Sequence, residues 1–168
     1  MKKIFMFVAL IGAILLGGAS TAGAQSKALK KDVKKRVKEL KKEGWKPLAS
    51  SATLDYTFAK YRTYLEEDPE NRIELVGIAI GNNVKIGREN AIMNGITSYA
   101  SRAKAQVIGK MKSVMSSEAS ATSEEEIDKF GAAYQSGVNT KIAGLVKQHI
   151  VLVREDKNGN KEFNVYMS

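Results

Sequence analysis

The chain contains no cysteine and only one histidine, His149. Without cysteine the fold holds no disulfide and offers no thiolate to a metal. The anchor of bacterial lipoproteins is excluded as well, because it is built on a cysteine directly after the cleavage site. One histidine and no cysteine also exclude the usual metal-ligand clusters and the Cys–His or Ser–His nucleophile sets. We therefore expect no metal and no cofactor.

Long hydrophobic runs are also scarce, and the one that is present lies at the N-terminus, at residues 4–16. It follows Lys2 and Lys3 and leads into small residues that end in Ala-Gly-Ala at 22–24. This order is typical of a secretory signal peptide, here predicted over residues 1–24. The run is too short for a membrane-spanning helix, which needs about 20 apolar residues. We expect a bacterial protein that is exported to the periplasm or lies peripherally at the outer membrane.

The positive charge is concentrated in one segment. Removing Lys2 and Lys3 from the formal net charge of +9 leaves +7 on the exported chain. Between Lys27 and Lys46 ten basic and three acidic residues sum to +7, so the remainder of the chain is neutral. Charge segregated in this way indicates contact with an anionic surface.

The basic segment is predicted to be an amphipathic helix over 26–43, within a unit spanning 25–46. Its narrow apolar stripe is Leu29, Val33, Val37 and Leu40, which follow the 3.6-residue period. Ser26 is the predicted N-cap and Gly44 the predicted stop. The candidate surface-contact residues are Lys30, Lys31, Lys34, Lys35, Arg36, Lys38, Lys41, Lys42 and Trp45.

Basic amphipathic helices bind anionic membrane surfaces, and a tryptophan indole is favoured at a lipid interface. The expected partner is an anionic envelope surface, phospholipid or lipopolysaccharide, or another envelope protein. Nucleic acid is not expected, because of the export signal. The alternative is that the lysines form a solvated face while the apolar stripe docks on the domain and Trp45 enters the core.

Residues 47–168 predict a single α+β domain with an antiparallel sheet of at least three strands and helices, including one long helix, packed on one face. The predicted helices are 52–67 with Ser51 as N-cap, a long helix over 88–115, and a short helix that begins after a capping box at Ser123 and ends at Gly137. The predicted strands are 73–80, 140–155 and 161–167, the last two joined by a turn at Asn158-Gly159. A linker is predicted at 116–122. Small residues on the long helix predict close packing on the sheet; they are Ala91, Gly95, Ala100 and Gly109.

The order of features from residue 73 onward resembles the small outer-membrane lipoproteins of the LPP-twenty or FlgP-like type. The similar features are a Gly-containing apolar strand at 76–81, an alanine-bearing helix that includes 100–105, a Ser-rich break, a helix with Phe130, a strand with Gly144 and a closing hairpin. Two features depart from that family, namely the missing lipid-bearing cysteine and the additional basic helix. The resemblance implies a non-enzymatic protein associated with the cell envelope, and it supplies no catalytic residues.

Two other functions remain open at this point. Glu66, Glu67, Asp68 and Glu70 form an acidic cluster, and paired carboxylates of a periplasmic enzyme could hydrolyse peptidoglycan or another glycan. The aromatic residues Tyr56, Phe58, Tyr61 and Tyr64 of the second helix could line a groove for a small molecule or a peptide. The alternatives without a functional site are that the carboxylates are solvated loop charges and that the aromatic residues pack in the core.

Overall fold

The computed structural model describes residues 22–117 and 123–168. Residues 1–21 of the predicted signal peptide and 118–122 of the predicted linker lie outside these ranges. The described helices are α1 (Ala22–Lys42), α2 (Leu54–Glu67), α3 (Val84–Ser117) and α4 (Glu124–Ala143). The described strands are β1 (Lys46–Pro47), β2 (Leu75–Ile80), β3 (Gln148–Glu155) and β4 (Lys161–Met167). The predicted α+β class is thereby confirmed.

The strands form one antiparallel sheet in the order β1-β3-β4-β2. The predicted hairpin joins β3 to β4, and Gly159 at its turn has a φ of 81°, a conformation that favours glycine. The side chain of Asp156 accepts hydrogen bonds from the backbone N–H groups of Asn158 and Asn160, both at 2.8 Å. These bonds fix the turn and with it the register in which Glu155 faces Lys161.

Helix α3 covers one face of the sheet, as predicted for the long helix. The face is lined by Phe163, Val165 and Met167 of β4, each at 0% exposure, and by Leu75 of β2. Alternation along the strands brings these residues to the same side. The α3 side chains packed on them include Ile92 and Ile96.

Helices α1 and α2 cover the opposite face, so the sheet is packed between helices on both sides. The residues of this second core include Ile150 and Leu152 of β3 and Tyr166 of β4. The expectation of helices on one face alone is wrong in this respect, because the apolar stripes of α1 and α2 both need a surface to cover. Neither helix reaches the β2 edge, where Ile78 is 46% exposed and Ile80 is 62% exposed.

Helix α1 ends where the sequence predicts, at a glycine. Gly44 has a φ of 85°; its N–H binds the carbonyl of Lys41 at 3.2 Å and the N–H of Trp45 binds that of Leu40 at 2.9 Å. This pair of bonds is a Schellman motif. The predicted N-cap at Ser26 is wrong, because the helix already begins at Ala22. Ala24 and Gln25, directly before Ser26, favour a helix, although Gly23 does not.

Two other helix starts also differ from prediction because a nearer side chain caps the helix. Helix α2 is capped by Thr53 rather than Ser51, and the Thr53 hydroxyl accepts from the N–H of Tyr56. Helix α3 begins at Val84 rather than Arg88, because the Asn83 carboxamide accepts from the N–H of Lys85 at 2.9 Å. Asparagine and threonine are both favourable caps.

The boundary between α4 and β3 is the largest error of the sequence prediction. The capping box at Ser123 is confirmed, but α4 runs through Gly137 to Ala143, and β3 begins only at Gln148. Residues 140–147 are therefore not strand, although Ile142 and Val146 alternate in parity with the true strand residues. The short strand β1 went unpredicted because two residues carry no periodic signal.

Candidate anion-contacting face of helix α1

The lysines of α1 share one side of the helix. At 100° per residue, eight of them fall within an arc of about 140°, and all eight side chains are exposed. We call this set the lysine face: Lys27, Lys30, Lys31, Lys34, Lys35, Lys38, Lys41 and Lys42. None of the acidic residues of α1 lies in the arc.

The acidic residues at and just after α1 lie on the other flank, where each is close to an arginine. The three pairs are Asp32–Arg62 at 3.7 Å, Glu39–Arg36 at 3.7 Å and Glu43–Arg154 at 3.9 Å. Such long, partly exposed pairs contribute little to stability, about 0–1 kcal/mol each. Their main effect is on the distribution of charge. Because these carboxylates are paired with arginines, they do not neutralise the lysine face.

Among the residues that the structure describes, Lys41 is the single member of the lysine face in an ion pair. Its Nζ lies 3.0 Å from Oδ2 of Asp55 at the start of α2. Both side chains are about half exposed, at 59% and 49%, so salt screens the pair. Seven lysines thus remain available to an anionic surface.

The structure removes Arg36 from the predicted contact set. The residue lies on the flank opposite the lysine face and is half-buried, and its Nη2 donates to the Tyr166 hydroxyl at 2.9 Å. Burial raises the pKa of that hydroxyl, so Tyr166 stays a neutral acceptor. Arg36 therefore ties α1 to the sheet.

Trp45 is a second correction to the contact set, because its indole is only 4% exposed and lies in the core, as in the alternative interpretation of this helix. It packs with Val37 and Leu40 in the core beneath α1. The indole Nε1 donates to Glu43 at 3.1 Å, and the Arg154 guanidinium lies 4.4 Å from the ring centroid. The apolar stripe of α1 is buried in the same core, so the helix docks on the domain.

The acidic cluster is spread over the end of α2 and the turn after it. Glu66 and Glu67 belong to the last turn of the helix, Asp68 is its C-cap, and Glu67 lies 2.9 Å from the Arg72 guanidinium. Glu66, Glu67 and Glu70 are exposed. Within the described residues there is no group of three or more His, Asp or Glu side chains that could hold a metal ion.

The aromatic stripe of α2 is divided between core and surface. Phe58 and Tyr61 are each 2% exposed and pack on Tyr166, whereas Tyr56 is 63% exposed. The Tyr61 hydroxyl donates to the carbonyl of Met167 at 2.8 Å. Phe58 and Tyr61 hold α2 to the sheet, whereas Tyr64 lines a cavity at the end of the helix.

No helix within residues 22–117 and 123–168 combines the length and the apolar character that crossing a membrane requires. Comparison of the chain with protein-family models, with curated proteins and with solved structures finds no significant match. The resemblance to the LPP-twenty type therefore stays a prediction.

Proposed function

We propose that this protein is exported to the cell envelope and acts there without catalysis, by binding an anionic surface through the lysine face of α1. The surface is the phospholipid or lipopolysaccharide of the envelope. The observation that carries the proposal is the acid-free arc of eight exposed lysines on a helix whose opposite side is buried in the core. Its location and its non-enzymatic role rest on the predicted signal peptide and on the absence of catalytic motifs in the sequence.

Docking of α1 on the domain supports this role. A free helix of this length with so narrow an apolar stripe is marginal in water, and it would lose conformational entropy on binding. Val33, Val37 and Leu40 are buried, so the helix is already ordered and the lysine spacing is set. Preorganisation of this kind increases affinity by lowering the entropic cost of binding.

The attachment is expected to be electrostatic. Each cation close to an anionic membrane contributes about 1 kcal/mol, so several lysines together suffice for peripheral binding. Trp45 is buried, and the lysine face itself holds no apolar side chain to insert between lipids. Binding should therefore be reversed by salt, which shortens the Debye length to about 3 Å at 1 M.

The test is co-sedimentation of residues 25–168 with vesicles of phosphatidylglycerol or of phosphatidylcholine. We expect binding to the anionic vesicles only, and release by about 1 M salt. A variant with Lys31, Lys34, Lys35 and Lys38 changed to Gln should lose at least tenfold in affinity. All four side chains are exposed, so the variant should keep the unfolding midpoint of the wild type.

A matched variant separates the effect of the lysine face on vesicle binding from the effect of the net charge. Lys85, Lys110, Lys112 and Lys157 are exposed and lie outside α1, and changing them to Gln removes the same charge. This control should keep most of the binding. The proposal would be overturned if the two variants lost equal affinity for the vesicles. It would also be overturned if the wild type did not bind anionic vesicles at low salt.

A further inference from the structure

A cavity of about 310 Å³ lies where the end of α2, the segment before β2 and the connection between α4 and β3 meet. Its wall is mostly apolar and includes Leu75, Tyr99 and Ile142. Two apolar side chains at its border are solvent-exposed, Ile73 by 45% and Leu145 by 72%. A cavity of this size with an apolar wall and a few polar groups is typical of a small-molecule site.

The polar groups of this cavity include two cations beside one aromatic ring. The Arg72 guanidinium carbon lies 4.0 Å from the centroid of Tyr64, and the Lys147 Nζ lies 5.4 Å from the same centroid. All three residues line the cavity. The ring holds both cations at the border of the apolar wall.

The positive charge here is only partly compensated. Arg72 has an acidic partner, Glu67, whereas Lys147 has no ion pair with an acidic side chain of the described residues. The pKa of His149, whose ring lies 4.7 Å from that of Tyr64, is lowered first by burial and then by the charge of Lys147. Lys147 is therefore the cation that an anionic ligand would meet at the border of this cavity.

We propose that this cavity binds the anion of a medium-chain fatty acid. The acyl chain lies along Tyr99, Ile142 and Leu145, and the carboxylate lies beside Lys147 and Arg72. An apolar wall with cations at one side matches a ligand that has one anionic end. A bare phosphate would leave the apolar wall unfilled, and a neutral lipid would leave Lys147 unpaired. The site is distinct from the lysine face and does not depend on it.

The test compares three probes that share a ten-carbon chain: decanoate, decanol and decyltrimethylammonium. Isothermal titration of the wild type should show binding of decanoate, at least tenfold weaker binding of decanol, and no binding of the cation. Lys147→Glu should weaken decanoate binding at least tenfold and leave decanol unchanged. Lys157→Glu, at an exposed position in the β3–β4 turn, makes the same charge change and should leave both affinities as they are.

A second variant probes the apolar wall. Leu145→Ser should weaken decanoate and decanol alike by several-fold, and the exposure of Leu145 means that the variant should still fold. Equal affinities of the wild type for decanoate and decanol, no decanoate binding, or a Lys147→Glu variant that binds as the wild type does would each overturn the proposal. The variant with four lysines of α1 replaced should bind decanoate normally, so failure of one proposal is distinguishable from failure of the other.

Discussion

His149 lies between two aromatic rings, with centroid distances of 5.0 Å to Tyr61 and 4.7 Å to Tyr64. One ring nitrogen, Nε2, is 2.8 Å from the Ser168 hydroxyl oxygen. Burial and the nearby charge of Lys147 lower the pKa of His149 below its usual value of 6.5. The folded protein therefore favours the neutral imidazole, and the residue acts as a packing group.

This environment predicts a dependence of stability on pH. As the pH falls below 6.5, the unfolded chain takes up a proton at residue 149 before the folded chain does, so the free energy of unfolding decreases. The decrease should be at most about 1.4 kcal/mol per pH unit, the value for one proton. It should continue until the pH falls through the lower pKa of the folded state.

Urea denaturation between pH 7.5 and pH 5 measures this effect. The His149→Gln variant is the reference, because carboxylates are common to both proteins and their contribution cancels. The stability difference between wild type and variant should shrink as the solution is acidified. A difference that stays constant over this range would show that the histidine titrates alike in the folded and unfolded states.

At the scale of the elements, α3 approaches β2 most closely where a glycine of the strand, Gly77, faces Ala91 and Gly95 of the helix. A Cβ built on Gly77 would lie 1.8 Å from the carbonyl oxygen of Ala91 and 2.7 Å from the backbone nitrogen of Gly95. Both obstacles are backbone atoms, which cannot rotate away. The predicted close packing on the sheet is thus confirmed at Ala91 and Gly95; Ala100 is fully buried. The prediction is wrong for Gly109, whose Cβ would meet nothing within 4 Å.

This contact predicts opposite effects for two glycine-to-alanine changes. Gly77→Ala should destabilise the protein by about 3 kcal/mol or more, since the helix must move off the strand. Gly109→Ala, in the open part of the same α3, should stabilise it by about 0.5–1 kcal/mol, the difference in helix preference. Both are measured by urea denaturation. A Gly77→Ala loss below 1 kcal/mol would contradict the close approach of α3 to β2.

At the scale of the whole molecule, α1 is part of the second core and holds the sheet between helices. Leu40 is 1% exposed and packs in one cluster with α2 residues such as Phe58 and with Leu152 of the sheet. Deleting α1 would therefore uncover a core as well as removing the lysines. Replacing lysines while keeping the apolar stripe therefore tests surface binding without uncovering this core.

Core membership of α1 predicts a large effect of Leu40→Ala. We expect a loss of about 2–5 kcal/mol in the free energy of unfolding, the usual range for a buried leucine. The exposed Leu145→Ala should change it by less than about 0.5 kcal/mol. Chemical denaturation followed by the fluorescence of Trp45, which packs beside Leu40, reports both. A Leu40→Ala loss as small as the control's would mean that α1 does not dock in solution.

Patterns local in the chain determined much of this fold. The 3.6-residue period of Val33, Val37 and Leu40 predicts the amphipathic α1, and Gly44 and Ser123 mark helix ends whose bonds lie within a few residues. The Asn-Gly turn predicts the β3–β4 hairpin. These features depend on neighbours in sequence, so the residues themselves carry the information.

Tertiary contacts decided what the sequence left open or wrong. The apolar residues at 140–147 fit both the 3.6-residue period of a helix and the two-residue period of a strand. Alternation alone therefore could not show that this segment is the end of α4 and the connection to β3. Whether α1 docks, where Trp45 points and which lysines remain unpaired depend on residues far apart in the chain, such as Tyr166, Arg154 and Asp55. The cavity between Arg72 and Lys147 is of the same kind, since only the folded sheet and its helices bring its two cations to one ring. Burial and electrostatic interactions depend on which residues are neighbours in space. A single sequence shows only which residues are neighbours along the chain, so it could not predict these features.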